Sequence, residues 1–424
     1  MGNFKMLPVD IISNILTRLP TESVLDCKLV SKSWNKVISR QQFSQSHLNR
    51  CLKDLDSARG SSGGKFTFLL ANDNPIYAYR LFHYLEFNDA DNSSSEEQPC
   101  HRITRMKLNP APFKFYTITG SCNGLVCLDG CHDNDWVNYE PIYICNPITR
   151  ECVFLPEFKR TPGPSQQLVS GFGYVSSSNE YKVVRLYKLW KEPNCVHVEV
   201  YTLGSGKGWR NTGKKFSKDL DLFINTGGEL VNESLYWKLN NGEIVAFDLA
   251  TEEFAEIPTA FPTDWKFSLG VLGGYLSADH YDKDKKTSDI FLLKKNEDGS
   301  LGWIKEFSIS NTDTQEIVID PLVLTNRGTV LCRSETKVLI HDLNSSSSKV
   351  LVDFGKDKAI FQAIPHMNTL VSLKALGEEN TKTMETVGVP LPEEVNFENP
   401  WEEMFYQKRV QDGADKFYQS CRQQ

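Results

Sequence analysis

Five stretches of this chain repeat one shape, an extended apolar run, a polar turn and a second extended run. They are IYICNPITRECVFLP from Ile142, VEVYTLGSGKGW from Val198, IVAFDLATEEFAEIP from Ile244, IFLLKKNEDGSLGWIKEF from Ile290 and VLIHDLNSSSSKVLVDF from Val338. The residues before the turns are Cys145, Tyr201, Phe247, Leu292 and His341, so the steps are 56, 46, 45 and 49 residues. A period of about 40–50 residues is what four-stranded propeller blades produce, because each unit buries its apolar face only against the next copy. Shorter hairpin candidates lie between these stretches, at 121–128, 227–239, 272–280 and 325–333, and fit the inner strands of the blades. Residues 66–87 and 359–374 are strand-like as well. Together they are expected to form one more blade, closing the ring from both ends and removing exposed edges. The region 65–376 therefore reads as an all-β propeller of about six blades.

The first 52 residues have a different texture. Ile11, Ile12, Ile15, Leu16 and Leu19 recur at helical spacing, with Pro8 suited to a first turn and Pro20 ending the run. Val24, Leu25 and Leu29 mark a second helix. Ser31 is placed to cap a third, which carries Trp34, Val37 and Ile38, and Phe43, His47 and Leu48 suggest a fourth. Residues 53–64 (KDLDSARGSSGG) read as a flexible linker, and 377–424 as an acidic C-terminal extension.

The stretch LPVDIISNILTRLPTESVLDCKLVSKSW resembles the F-box, a small all-α helical module. Residues 100–375 look like the plant F-box-associated domain, a kelch-like β-propeller; SCNGLVCL, GFGYVSSSNEYKVVRLY and VAFDLATEEFAEIP carry that resemblance. The layout is shared with the S-locus pollen F-box proteins. The resemblance implies a non-catalytic, substrate-recognition subunit of an SCF ubiquitin ligase. Its F-box would dock on a Skp-type adaptor, and through it reach cullin and RING subunits, while the propeller holds an unidentified target protein. A ligase-independent interaction protein and a propeller enzyme are the alternatives.

A helical unit of this size carries more apolar surface than it can bury within itself. Leu7, Pro8, Ile12, Ile15, Leu16, Leu19 and Val30 are therefore the expected adaptor contacts. Loops on a rigid scaffold commonly carry recognition, which points to 131–139, 160–167 and 260–266, with Trp136, Tyr139 and Trp265 as target contacts. Among the other tryptophans, Trp209, Trp237 and Trp303 are expected to anchor the core. No cofactor is expected. Cys122, Cys127, Cys131 and His132 lack a paired C-x2-C knuckle, so they do not read as a zinc site. Gly204-Ser205-Gly206-Lys207-Gly208 lies between two strands and reads as a hairpin turn, since a phosphate loop would have to open a helix. The net charge of −7 argues against binding a nucleic-acid backbone. No apolar run approaches the ~18 residues of a membrane span, and a cytoplasmic or nuclear site is expected, with the eleven cysteines reduced.

Overall fold

The computed structural model describes residues 8–60, 65–74, 79–88, 101–106, 108, 115–131, 138–156, 168–189, 192–216, 227–239, 241–258, 261–262, 267–310, 319–325, 327–355 and 359–384. Four helices open the chain: α1 (Val9–Leu16), α2 (Thr21–Val30), α3 (Lys32–Ile38) and α4 (Gln41–Gly60). Pro8 and Pro20 precede the first two in extended conformation, φ −55° each, with the missing N–H falling where a helix has no use for it. Ser31 caps α3 by accepting the Trp34 N–H at 3.2 Å. α4 continues through residues 53–60, so most of the expected linker is helix.

The strands form six antiparallel sheets arranged as blades. Blade 2 is Phe115–Cys122, Leu125–Cys131, Asn138–Asn146 and Glu151–Phe154; blade 3 is Leu168–Val175, Glu180–Leu189, Glu192–Thr202 and Trp209–Phe216. Blade 4 runs from Glu229–Val231 to Phe254–Ile257, blade 5 from Phe267–Leu272 to Leu301–Ser310, and blade 6 from Asp320–Leu324 to Ser347–Asp353. The five repeats are the third and fourth strands of these blades, and the four shorter hairpins lie in the first two strands of blades 2, 4, 5 and 6. Blade 1 is composite. Lys65–Asn74, Tyr79–Asn88 and His101–Met106 supply three strands, and Ile360–Pro365 adds the innermost, paired from Phe68↔Pro365 to Asn72↔Ile360.

Buried aliphatic and aromatic side chains fill the spaces between neighbouring blades. Val184, Val198, Leu235, Trp237 and Phe247 join blades 3 and 4, while Leu85, Phe87, Leu331 and Val338 join blades 1 and 6. Trp237 is core, as expected, at 2% exposure. Trp209 and Trp303 are only partly buried and make one bond in two places. Each sits on an outermost strand and donates its indole N–H to a carbonyl that ends the preceding blade, Pro156 at 2.8 Å and Pro258 at 3.0 Å. The two double glycines differ in use. Gly273 and Gly274 make a two-residue hairpin turn with φ +61° and +83°, a conformation side chains disfavour. Gly228 instead lies where a Cβ would strike the Trp237 indole.

The propeller also extends past 376. Lys382–Thr383 pairs with Glu151–Phe154 as a fifth strand of blade 2, and Glu378 is 7% exposed. The described start of the expected extension is thus folded onto the ring; residues 385–424 lie outside the described residues.

Candidate functional site

α1 carries apolar residues on two sides. Ile12 and Leu16, with Leu19 just beyond the helix, face inward onto Val24, Val37, Ile38 and Phe43. Pro8, Ile11 and Ile15 follow a second stripe at spacings of 3 and 4 residues, and that stripe is open: Ile11 is 47% exposed and Ile15 46%. Val9 beside it is exposed too, and α2 ends on Leu29 and Val30, at 87% and 65%. Five of the nine large apolar side chains exposed among the described residues lie in these two helices. Apolar exposure is therefore concentrated here, as it is at interaction surfaces.

The expected contacts divide accordingly. Pro8, Ile15 and Val30 are on the surface; Ile12 and Leu19 are half-buried against the module's own core. Leu16 is 1% exposed, which leaves no side-chain surface for a partner and makes it a packing residue. Leu7 lies outside the described residues. Val9, Ile11 and Leu29 are exposed as well, although they are not among the expected adaptor contacts. Their signal is the parallel 3–4 spacing of positions 8, 11 and 15 beside 12, 16 and 19, which makes the apolar face of α1 about half of its circumference, with Asp10, Ser13 and Asn14 on the other side.

Residues 366–376 bind the helices to the propeller. Thr21 Oγ1 donates to the Asn368 carbonyl at 2.8 Å, Asn368 Nδ2 to Glu22 Oε1 at 2.6 Å, and Ser44 Oγ to the Leu370 carbonyl at 2.7 Å. Leu370 completes the helical core. Leu48 of α4 packs with Val371, Leu373 and residues of blades 2 and 3. From the ring, Asn146 Nδ2 donates to the carbonyls of Thr369 and Val371 at 3.0 and 2.7 Å. Glu378 Oε1 accepts the Gly204 N–H at 2.7 Å.

These attachments meet blades 2 and 3 at the turn joining first to second strands, where Thr369 Oγ1 donates to the Asn123 carbonyl at 2.6 Å, and at the turns joining third to fourth strands (Asn146, Gly204). In an antiparallel blade, the connections between second and third strands, and those between blades, fall at the opposite end. The strand ends flanking 131–139, 160–167 and 260–266 consequently point away from the helices. Trp136 and Trp265 lie outside the described residues. Tyr139 is in the strand Asn138–Asn146, paired with Gly130, and only its backbone is described.

The sequence profile of the F-box associated beta propeller domain matches residues 68–338, and that of the F-box domain matches residues 4–46. The chain belongs to this family of F-box proteins. An F-box protein of Arabidopsis thaliana is 30% identical over 61% of this chain and 61% of its own length. The F-box protein CPR1 of Arabidopsis thaliana is 27% identical over 81% of this chain and 84% of its own. An F-box/kelch-repeat protein from the same plant is 24% identical over 72% and 79%. The chain thus spans less than two thirds of the first of these relatives and more than three quarters of the other two. In family terms, the exposed apolar residues of α1 and α2 belong to the F-box, and the long connections to the far face of its propeller.

Among the described residues, the cysteines of the F-box-associated domain form no group of three. Cys122 and Cys131 lie at opposite ends of one hairpin, where Cys122 pairs with Leu125 and Cys131 with Phe115. His132 is outside the described residues. Burial pushes the Cys122 thiol up to about 12 and that of Cys127 well above its ordinary value. The Gly204–Gly208 segment is the hairpin turn expected, with Gly204, Gly206 and Gly208 at positive φ between Glu192–Thr202 and Trp209–Phe216. Asp129 is buried, and Glu229 and Asp279 are partly buried, each on a different blade. Burial holds Asp129 up to about 6, with Thr119 and Ser170 hydrogen bonds opposing, and Glu229 up to about 7. Asp279 is raised well above its ordinary value by burial and then by Asp320 and Asp289. They do not converge with one another, since the one group of three or more such ligands among the described residues lies elsewhere. No helix among the described residues is long and apolar enough to cross a membrane.

Proposed function

We propose that this F-box protein is the substrate-recognition subunit of an SCF ubiquitin ligase. The observation that carries the reading is the set of solvent-facing apolar residues on α1 and α2, with Pro8, Val9, Ile11, Ile15, Leu29 and Val30 open while the inward stripe is occupied. A Skp-type adaptor covers them and brings cullin and RING subunits, which perform the transfer. A target protein sits on the propeller face away from the helices, where the longest connections lie, with Trp136, Tyr139 and Trp265 among its contacts. The mechanism is proximity. Holding the target beside the transfer machinery raises its effective concentration without chemistry in this chain. The helices are fastened through 366–376, so the target is presented in a defined orientation.

Replacing Ile11 and Ile15 together with glutamate tests the adaptor face. Both side chains are exposed, so folding should change by about 0.5 kcal/mol or less per site, while co-purification of the adaptor is lost. Undiminished adaptor capture by the folded double variant would refute the assignment. The target face is tested by triple alanine replacement of Trp136, Tyr139 and Trp265. Target capture from native tissue under proteasome inhibition should fall while adaptor binding persists; undiminished capture would place the site elsewhere.

A further inference from the structure

The hairpin joining the second and third strands of blade 3 carries a feature that neither the F-box nor ring closure requires. Its third strand is irregular. Glu192 pairs with Leu189 and Val196 with the very next residue back, Lys188, so Pro193, Asn194 and Cys195 are extra residues on one side of the ladder. Bulges of this kind redirect side chains and are common beside functional sites. Here a carboxylate oxygen of Glu192, the Cys195 sulfur and a ring nitrogen of His197 lie within 4.8 Å of one another.

His197 supplies the second observation. Its residue is 7% exposed, and its ring stacks on Tyr187 with centroids 5.3 Å apart and planes 19° apart. The orientation of the imidazole is thereby fixed by packing. Nε2 points at the cluster, 3.1 Å from Glu192 Oε2. That separation satisfies an ion pair by distance alone, but the angles are not those of a hydrogen bond and the buried Nε2 has no hydrogen-bond partner. A buried imidazole nitrogen left so costs free energy. A cation between nitrogen and carboxylate removes that cost.

We propose that Glu192, Cys195 and His197 bind a zinc ion on the propeller face away from the helices. One thiolate, one imidazole and one carboxylate form a mixed S, N, O set of the kind zinc accepts, whereas calcium and magnesium require oxygen alone. Thiolate and carboxylate together neutralise the double charge. Donor atoms around tetrahedral zinc lie roughly 3.3–3.8 Å apart, from bonds of about 2.0–2.3 Å. The Glu192 side chain is 45% exposed, and a change in its side-chain torsions brings the carboxylate within the remaining distance. Three protein ligands leave a fourth position for water or for a side chain of a bound protein. Binding the ion would pin the bulged hairpin to the well-packed strand behind it.

The test uses the full chain purified with its adaptor and stripped of metal by a chelator. Titration with zinc should load one equivalent per chain by elemental analysis, and cobalt in its place should give a thiolate-to-cobalt charge-transfer band. Glu192→Gln, on an exposed side chain, and Cys195→Ser should weaken zinc binding by about tenfold or more, and Cys195→Ser should abolish the band. Cys51→Ser serves as control, since Cys51 lies near His47, with Sγ and Nδ1 3.6 Å apart; it should leave band and stoichiometry intact. Absence of a thiolate band, a band unchanged in Cys195→Ser, or its loss in Cys51→Ser alone would overturn the proposal.

Discussion

Asn146 is the ring residue that donates two side-chain hydrogen bonds to residues 366–376, and its isosteric replacement by aspartate isolates that role. The side chain is fully buried. Its Oδ1 accepts the N–H groups of Ile148 and Thr149 at 3.0 and 3.3 Å, and its Nδ2 donates to the carbonyls of Thr369 and Val371 at 3.0 and 2.7 Å. Asn146→Asp keeps the shape and both accepted bonds. It removes both donated bonds and leaves two carbonyl oxygens facing a carboxylate. An orphaned buried acceptor costs ~1–3 kcal/mol, so the two should cost ~2–6 kcal/mol, a large share of the 5–15 kcal/mol typical of a folded domain. Urea unfolding measures the loss, and hydrogen exchange localises it to amides of 366–376. The pH dependence has a definite sign. Facing carbonyls, the new carboxyl has a folded-state pKa above its unfolded value, so its penalty is full above the folded pKa and relieved as pH falls through it, where the acid regains one donor. A loss below ~1 kcal/mol, or unchanged exchange protection in 366–376, would refute this account of the junction.

His366, fully buried with Nδ1 2.8 Å from Ser121 Oγ, is held down to about 4 from 6.5, chiefly by burial. Its folded pKa lies below the unfolded one, so wild type should lose about 3 kcal/mol relative to His366→Gln as pH falls from about 6.5 to 4; parallel stability–pH curves would contradict this, and Asp129 and Glu229, which titrate in the opposite sense, are common to both proteins. Gly204→Ala should destabilise the chain by more than the roughly 1–2 kcal/mol of a left-handed residue, because φ is +71° and the new Cβ would collide with the Leu376 carbonyl; an unchanged unfolding midpoint would argue against close packing there. Deleting 359–376 should expose the edges of blade 1 and cause aggregation; a soluble product with the parent melting profile would disprove closure by Ile360–Pro365.

The blades were legible because repetition is a strong signal. Each hairpin is an apolar run, a polar turn and a second extended run, and the spacing of Cys145, Tyr201, Phe247, Leu292 and His341 reports the blade directly. Ring closure was legible too, because 66–87 and 359–374 each contained strand material without a partner. The junction was not. Residues 366–376 form no regular element, and bonds such as Thr21 to Asn368 join positions far apart in sequence, with no local pattern to announce them. In sequence terms α4 ends early because Asp54, Asp56, Ser57 and Gly60 have poor helix propensity, whereas Leu55, Ala58 and Arg59 between them are strong helix formers. On α1, the pattern marks a broad apolar face but does not say which stripe of it the module's own core occupies. Leu16 and Ile11 exchange roles for that reason. The Glu192–His197 cluster was hidden by a bulge, which no periodicity predicts.

Synthesis runs from the helices toward the ring's last strand, and the composite blade sets a timetable. Five blades and three strands of the sixth are made while the place of Ile360–Pro365 is still vacant, so the nascent domain is an arc with two sticky ends. The helices wait longer still, because Leu370, which seals their core, follows that strand. A transcript cut short before these codons would encode nearly every blade and an entire N-terminal module, yet yield neither a closed ring nor a finished helical core. Truncating lesions should therefore cause loss of function wherever they fall before the codons of Ile360–Leu370, and such products would be fuel for quality control rather than competitors of the intact protein.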